Sequence, residues 1–146
     1  MNAIDFLVQE HNKVRKLFQD LQDPKHREET QKKLFLTITE ELTRHEKMEQ
    51  TIWYPQLKEH KKWQEHIKHL KEEEHSAKKF MMKLKNLSDS EDWQAGIKQL
   101  QEDVEHHATE EEEKLFPQVR KIIEEETLQR IGKDMRKFKE DFERKH

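Results

Sequence analysis

Apolar residues recur at alternating intervals of three and four along most of the chain, which is the spacing of one face of an α-helix. Asp5 is a candidate N-cap for the first predicted helix. The first stripe consists of Ile4, Leu7, His11, Val14, Phe18 and Leu21. A turn at Asp23-Pro24 separates it from the second stripe, which consists of Phe35, Ile38, Leu42, His45, Glu49 and Ile52. The first half of the chain is therefore predicted to form two amphipathic helices.

The second half repeats this organisation. A third helix is predicted over about Trp63 to Asn86, with a stripe made of Ile67, Leu70, Glu74, Ala77, Met81 and Leu84. Ser88 to Glu91 has the spacing of a capping box. The fourth stripe follows it and consists of Ile97, Leu100, Val104, His107, Glu111, Leu115 and Ile122. A last helix over about 126–143 is expected to pack across the others without contributing to a site.

Composition supports an all-α fold class. The chain of 146 residues contains two Gly and three Pro, which leaves little for turns, while the strong helix formers Glu, Lys, Leu and Gln are abundant. This length is usual for one domain. We expect a single domain over 1–146, with a bundle over about 2–123 and the extra helix at its C-terminus.

The charge pattern and the absence of cysteine exclude several classes of protein. The net charge is −3, and basic and acidic residues are interspersed, which argues against a nucleic-acid partner. No apolar run approaches the roughly 20 residues of a membrane span, so no membrane partner is expected. The N-terminus lacks a signal-peptide core, and without cysteine there is no disulfide or thiolate site. A cytoplasmic location is the simplest expectation.

The most informative feature is a motif that occurs twice, 62 residues apart. The first copy runs from His45 to Glu49 and is followed by Trp53-Tyr54-Pro55. The second copy runs from His107 to Glu111 and is followed by Leu115-Phe116-Pro117. Because residues four apart share a face of a helix, each copy directs an imidazole and a carboxylate the same way. Each copy therefore resembles half of a metal site.

An earlier dipeptide extends the repeat, since Glu10-His11 recurs as Glu74-His75. The two halves together supply four imidazoles and two carboxylates, namely His11, His45, His75, His107, Glu49 and Glu111. A glutamate on an apolar stripe loses several kcal/mol of solvation unless a partner compensates it. Two metal ions bridged by the carboxylates would do so, and the nitrogen and oxygen ligands favour iron first, then manganese or zinc. His60, His66 and His69, which lie among charged residues, are expected to be solvated.

With these motifs the chain resembles the hemerythrin-like family, also called HHE cation-binding domains, over Asp5 to Pro117. The resemblance implies an up-down-up-down four-helix bundle, here with an additional C-terminal helix. It also implies two non-heme iron ions with an oxo or hydroxo bridge. Four histidines would be terminal ligands and two glutamates would bridge the irons: His11, His45, His75, His107, Glu49 and Glu111.

One position departs from the family's pattern. Oxygen-carrying hemerythrins have a fifth histidine four residues before the third-helix ligand, where this chain has Lys71. Glu46, beside His45, and Glu74, on the third stripe, are two candidates for an additional metal ligand. The sequence leaves the choice between them open.

We therefore expect a non-heme diiron protein that binds or senses a small ligand such as oxygen or nitric oxide, or that senses iron. The runner-up is a diiron enzyme acting on peroxide, oxygen or nitric oxide, although such bundles usually offer more carboxylates. A third alternative is a metal-free helical interaction module, in which the buried histidines and glutamates would satisfy each other. No protein partner is identified by the sequence.

Overall fold

The computed structural model describes residues 1–145, and these form helices and connecting turns with no β-strand. The α-helices and two π-helical turns are α1 Ala3–Leu21, α2 Glu28–Met48, π1 Glu49–Trp53, α3 Tyr54–Leu57, α4 Lys61–Lys85, α5 Ser90–Glu110, π2 Glu111–Leu115, α6 Phe116–Ile122 and α7 Glu125–Lys145. The predicted all-α fold class is confirmed.

Four rods make up the bundle. The first is α1, the second runs continuously through α2, π1 and α3, the third is α4, and the fourth runs through α5, π2 and α6. The first rod packs on the second and the third on the fourth, while α7 lies against α1 and α2. The predicted bundle with an additional C-terminal helix is confirmed. No helix among residues 1–145 is both long enough and apolar enough to cross a lipid bilayer.

Side chains just outside two helices determine where these helices begin. The Asn2 side chain accepts a hydrogen bond from the backbone N–H of Asp5 at 2.9 Å. The Asp89 side chain accepts one from the backbone N–H of Asp92 at 3.0 Å. The caps are thus Asn2 rather than Asp5, and Asp89 rather than Ser88, because these residues precede the first N–H groups that lack helical partners.

A π-helical turn begins at the glutamate of each repeated motif, Glu49 in π1 and Glu111 in π2. Each turn is followed by a short α-helix with a proline in its first turn, Pro55 or Pro117. A proline has no N–H to donate to the preceding turn, and a wider turn accommodates this loss. The rods therefore continue through the prolines, and the wide turns lie where the glutamates enter the core.

Two apolar clusters fill the bundle. One cluster joins the N-terminal part of α1 to α3, α6 and α7 and consists largely of Ala3, Ile4, Leu7, Met48, Trp53, Tyr54, Leu57, Trp63, Ile67, Phe116, Val119, Leu128, Ile131 and Met135. The other fills the opposite end and consists of Val14, Phe18, Leu21, Phe35, Ile38, Leu42, Met81, Leu84, Trp93, Ile97 and Leu100. Buried polar side chains lie in a layer between the two clusters.

Close backbone contact fixes α7 against the N-terminus. A Cβ atom built on Gly132 would lie 2.7 Å from the Met1 carbonyl oxygen and 2.9 Å from the Ala3 nitrogen. The Asn2 side chain also donates hydrogen bonds of 3.1 and 3.2 Å to the Glu125 carboxylate. The position of α7 therefore depends on a glycine that allows two backbones to approach.

We predict that Gly132→Ala lowers the free energy of unfolding by about 1–3 kcal/mol, because backbone must move to admit the new methyl group. Gly96→Ala is the matched control. Its methyl group would meet the side chain of Leu84, which can rotate, and alanine favours a helix over glycine by about 1 kcal/mol. Chemical denaturation should show Gly96→Ala within about 1 kcal/mol of wild type. Equal effects of the two substitutions would contradict the close packing of α7.

Candidate metal centre

Six side chains from the four rods meet in the polar layer between the apolar clusters. Each of the six points into the bundle: His11, His45, Glu49, Glu74, His107 and Glu111. Glu49 and Glu111 are completely buried, and His11 and His45 are each 7% exposed. Five of these residues were predicted as metal ligands, and Glu74 was one of two candidates for an additional ligand.

His75 does not join this group, which corrects its predicted place among the ligands. Its side chain is exposed, whereas the neighbouring Glu74 is 3% exposed and has Oε2 3.2 Å from Nε2 of His107. Successive residues of an α-helix point about 100° apart, so only one of the two can face the core. Glu74 continues the apolar stripe of α4, as the hydrophobic period predicted.

Glu111 links the two halves of the group. Its Oε1 lies 3.4 Å from Nε2 of His11 and 3.3 Å from Nε2 of His107. It belongs to two sets of atoms close enough to share a cation, one with His11 and His45 and one with Glu49 and His107. Neighbouring ligands on one ion with bonds of about 2.0–2.1 Å are about 3.0–3.4 Å apart. The spacing therefore suits metal binding, and Glu111 is common to both sets of candidate ligand atoms.

Most of the imidazole nitrogens and carboxylate oxygens that face the middle of this group lack hydrogen-bond partners. Nε2 of all three histidines is buried without a partner, and so are both carboxylate oxygens of Glu49 and of Glu111. Buried polar atoms in folded proteins are almost always paired, because an unpaired one retains its full desolvation penalty. Neutral imidazole nitrogens and carboxylate oxygens together are the donors that divalent transition metals accept. The residues present thus fit a metal centre.

The outward nitrogen of each of the three histidines faces a carboxylate. Nδ1 of His11 lies 2.6 Å from Oε2 of Glu112, and Nδ1 of His107 lies 3.1 Å from Oε1 of Glu73. Nδ1 of His45 lies 3.6 Å from Oε1 of Glu10.

A carboxylate at this nitrogen fixes the tautomer that leaves Nε2 free for a metal. Sequence analysis identified Glu10 only as part of a repeated dipeptide and assigned no role to Glu73 or Glu112. The signal that could have found the role of Glu10 and Glu73 is their position, since each directly precedes an inward-facing residue.

A buried ion pair supports His45 from behind. Arg44 donates two hydrogen bonds to Glu10, of 2.8 and 2.7 Å, and is itself 3% exposed. Burial opposes ionisation of Glu10, but contacts with His45 and Arg44 outweigh it and lower its pKa to about 2. Lys139 and Glu143 of α7 reach Glu10 and Arg44 at 3.4 and 3.3 Å. Helix α7 thus packs across the bundle, as expected, and it also contacts the ion pair that lies behind His45.

The buried carboxylates of Glu49 and Glu111 differ in how readily they ionise. Burial raises the pKa of Glu49 well above its ordinary value, and the neighbouring charges of Glu111 and Glu74 raise it further. Burial also opposes ionisation of Glu111, but contacts with Glu49 and with His11 hold its pKa below its ordinary value. In the absence of a cation, these opposite shifts favour a protonated Glu49 beside an ionised Glu111. A bound cation would displace the proton of Glu49 and permit both to be ionised.

Tyr54 and Gln50 hold Glu74 in place. The Tyr54 hydroxyl donates a 2.7 Å hydrogen bond to Oε2 of Glu74, and the Gln50 side chain donates one of 3.1 Å to Oε1. Burial, and then the charges of nearby glutamates, raises the pKa of Tyr54, so it stays a neutral donor. This role of Tyr54 could not be predicted, because one sequence does not show which buried tyrosine has a carboxylate opposite it.

Of the two candidates for an additional ligand, Glu74 lies in the group and Glu46 lies at its edge. Glu46 is 8% exposed, and its pKa is raised to about 8 by burial and then by the charge of Glu74. Lys71 lies beside Lys58, and contact with that residue lowers the pKa of Lys71. The position of the fifth family histidine is thus filled by a side chain that has another lysine as its neighbour.

An open groove of about 1170 Å³ leads from the surface to the centre. It is bordered by the inward residues His11, His45, Glu74 and His107, and along its length by Val14, Phe18, Leu42, Ala77 and Val104. This volume far exceeds the size of a diatomic molecule. The groove therefore connects the centre to the surface along walls that carry both apolar and charged side chains.

Comparison with known proteins agrees with this geometry. The family profile described as hemerythrin HHE cation-binding domain matches residues 2–119. The chain belongs to this family, and membership implies that it binds metal. The chain has no significant match among curated proteins or among solved structures. The match ends before α7, so the contacts of Lys139 and Glu143 lie outside the matched region.

We predict that Glu74→Ala removes metal from the centre, whereas His75→Ala and Lys71→Ala leave the metal content unchanged. The reason is that only Glu74 among the three faces the inward group. Glu46→Ala, which removes a carboxylate at the edge, should have an effect smaller than that of Glu74→Ala. Elemental analysis of the four purified variants, prepared side by side, checks this ranking. Metal loss in His75→Ala with retention in Glu74→Ala would reverse the assignment.

Proposed function

We propose that the chain binds two non-heme iron ions and uses them to bind or sense oxygen or nitric oxide, or to sense iron itself. The observation that carries the proposal is the set of buried, unpartnered nitrogen and oxygen atoms. The ligands would be His11, His45, His107, Glu49, Glu74 and Glu111, with Glu111 and Glu49 between the ions.

Charge supports a pair of ions rather than one. Glu49, Glu74 and Glu111 would carry three negative charges in a layer closed at both ends by apolar side chains. One divalent ion would leave a net charge of −1, whereas two would supply four positive charges, which the three carboxylates and one bridging hydroxide would balance. The two sets of candidate ligand atoms overlap at Glu111, as a bridged pair requires.

Mixed imidazole and carboxylate ligands favour iron, with manganese or zinc as alternatives. When bound, two irons supply redox electrons and open coordination positions for a small ligand. The residues around them keep the site in one arrangement: Glu10, Glu73 and Glu112 orient the imidazoles, and Tyr54 holds a proton at Oε2 of Glu74. The apolar border of the groove suits a neutral diatomic ligand.

A diiron enzyme is a second candidate, and one observation favours it. With Glu74 in place of His75, the inward set has three carboxylates and three imidazoles, which is closer to the carboxylate-rich set of oxygen-activating bundles. Turnover of peroxide or of oxygen with a reductant would separate this candidate from a carrier or sensor. A binding protein should show ligand-dependent spectral changes without sustained consumption of the ligand.

We predict about two irons per chain in protein from iron-replete cells, because two groups of ligands share Glu111. Elemental analysis gives the number, and a change of the visible spectrum on adding nitric oxide to the reduced protein reports an open iron. Glu111→Gln should lose most of the iron. Glu102→Gln, an exposed glutamate on the same helix, is the matched control and should retain it. Protein that takes up no transition metal under anaerobic iron loading would refute the proposal.

We also predict that removing metal destabilises the fold by about 3–5 kcal/mol, as when one partner of a buried ion pair is removed. The midpoint of thermal unfolding should then fall by roughly 10 °C after chelation. In Glu49→Gln the fall should be smaller, because one fewer buried carboxylate is left without a cation. An unchanged midpoint in the wild type would contradict this prediction and would mean that protonation of Glu49 suffices to stabilise the empty centre.

A further inference from the structure

A second cluster of histidines and glutamates lies outside the centre, on α4 and α5. It consists of His66, His69 and Glu73 from α4 and His106 and Glu110 from α5. The sequence predicted His66 and His69 to be simply solvated. In the structure the side chain of Glu110 is 12% exposed, whereas those of His69 and His106 are 55% and 70% exposed. The cluster is therefore a partly buried pair of carboxylates faced by accessible imidazoles.

The distances within the cluster suit a metal ion. Nε2 of His69 lies 3.5 Å from Oε2 of Glu73 and 3.9 Å from Oε2 of Glu110. Nε2 of His106 lies 3.7 and 3.8 Å from the same two oxygens. Nε2 of His66 and Oε2 of Glu110 are buried without a hydrogen-bond partner. The spacings are slightly wider than the roughly 3.0–3.4 Å between ligands on one ion, so a small contraction around a cation would bring them to ligand distance.

Charge compensation differs between the two halves of the bundle. In the first half Glu10, which orients His45, is paired with Arg44 and Lys139. In the second half Glu73, which orients His107, has no such partner. Within residues 1–145, Glu73 and Glu110 form ion pairs with histidines and with no lysine or arginine. A permanent positive charge is present in one half and lacking in the other.

The repeat explains this difference. His106 follows Arg44 by the repeat distance of 62 residues. Between α1 and α4 the inward residues His11 and Glu74 are 63 residues apart, one fewer than the repeated dipeptides, and in that register Glu73 corresponds to Glu10. His69 likewise follows Phe6 by 63, and Phe6 is the ring over which Lys139 of α7 lies. The cluster thus occupies the place that α7 covers in the first half. In the second half, imidazoles stand where the first half has Arg44 and α7, and the cluster stays open to solvent.

We propose that His69, Glu73 and Glu110, flanked by His106, bind a divalent transition-metal ion and pass such ions to the buried centre. His69, Glu73 and His106 border the groove that also reaches His107. The other oxygen of Glu73, Oε1, is 3.1 Å from Nδ1 of His107. The outer ion would therefore be one side chain away from the centre. Delivery rests on the proposed function of that centre, but binding at the outer site does not.

Zinc is the probe for binding, and the number of zinc ions retained per chain after equilibrium dialysis is the measurement. We expect His69→Ala/His106→Ala to retain about one zinc fewer than wild type. Glu110→Gln should show the same loss. The control is His26→Ala, since His26 is paired with Asp20 away from the cluster and its removal should change nothing. Equal zinc counts in all these proteins would overturn the outer site.

The same comparison in a Glu111→Gln background keeps the two proposals distinguishable. There the buried centre is disabled, and His69→Ala/His106→Ala should still bind about one zinc fewer than its parent. A chain whose centre takes up no metal would thus refute the proposed function while the zinc count still decides the outer site.

Delivery is tested by the rate at which metal-free protein takes up ferrous iron, followed by stopped-flow absorbance. His69→Ala/His106→Ala should fill its centre several-fold more slowly than His26→Ala and reach the same final iron content. Equal rates would overturn delivery. A lower final content would overturn it too, because it would show that the outer residues shape the centre itself.

Discussion

The whole arrangement depends on carboxylates buried in an apolar interior. Glu49 and Glu111 are completely buried and stand next to each other, and the groups that their oxygens approach include the imidazoles of the same polar layer. Folding can place them there only if something positive compensates them, and protons or metal ions are the two available means. Without a metal ion, burial and the charges of Glu111 and Glu74 raise the pKa of Glu49 and favour its protonated form. The contacts around Glu49 and Glu111 can be understood as ways to keep this part of the core arranged for a metal ion.

Local backbone geometry and the packing of the two apolar clusters both contribute to the placement of these glutamates. The π turns begin at the two glutamates, so the extra width of the helix occurs where carboxylates must enter a packed core. The prolines that follow keep those turns from relaxing to regular helix, because they cannot donate the missing hydrogen bond. Apolar clusters on both sides pack the rods together, and hydrogen bonds between rods add to this in the polar layer. The two ends of the bundle therefore supply the apolar packing, and the middle holds the polar groups.

Hydrophobic periodicity predicted the helices and placed all six inward residues on apolar stripes, because a histidine or glutamate on such a stripe must face the core. At the third helix two kinds of reasoning disagreed. The internal repeat and the similarity to the family pointed to His75, whereas the stripe pointed to Glu74, and the structure follows the stripe. Relations across the bundle could not be predicted from one sequence. The pairing of Tyr54 with Glu74 and of Arg44 with Glu10 depends on how rods turn against each other, which the helical period leaves undetermined.

The two halves of the chain repeat each other but have diverged in how they compensate charge. In the first half, Arg44 and the C-terminal helix close the outside of the site and supply fixed positive charge to Glu10. In the second half, the corresponding surface is uncovered and Glu73 faces imidazoles. The fixed positive charge of arginine and lysine suits a closed surface, because it neither leaves nor exchanges with ions in solution. Imidazoles and carboxylates that are open to solvent suit a site where cations enter, because they can bind a cation and release it. This asymmetry gives a nearly symmetric bundle one closed side and one open side.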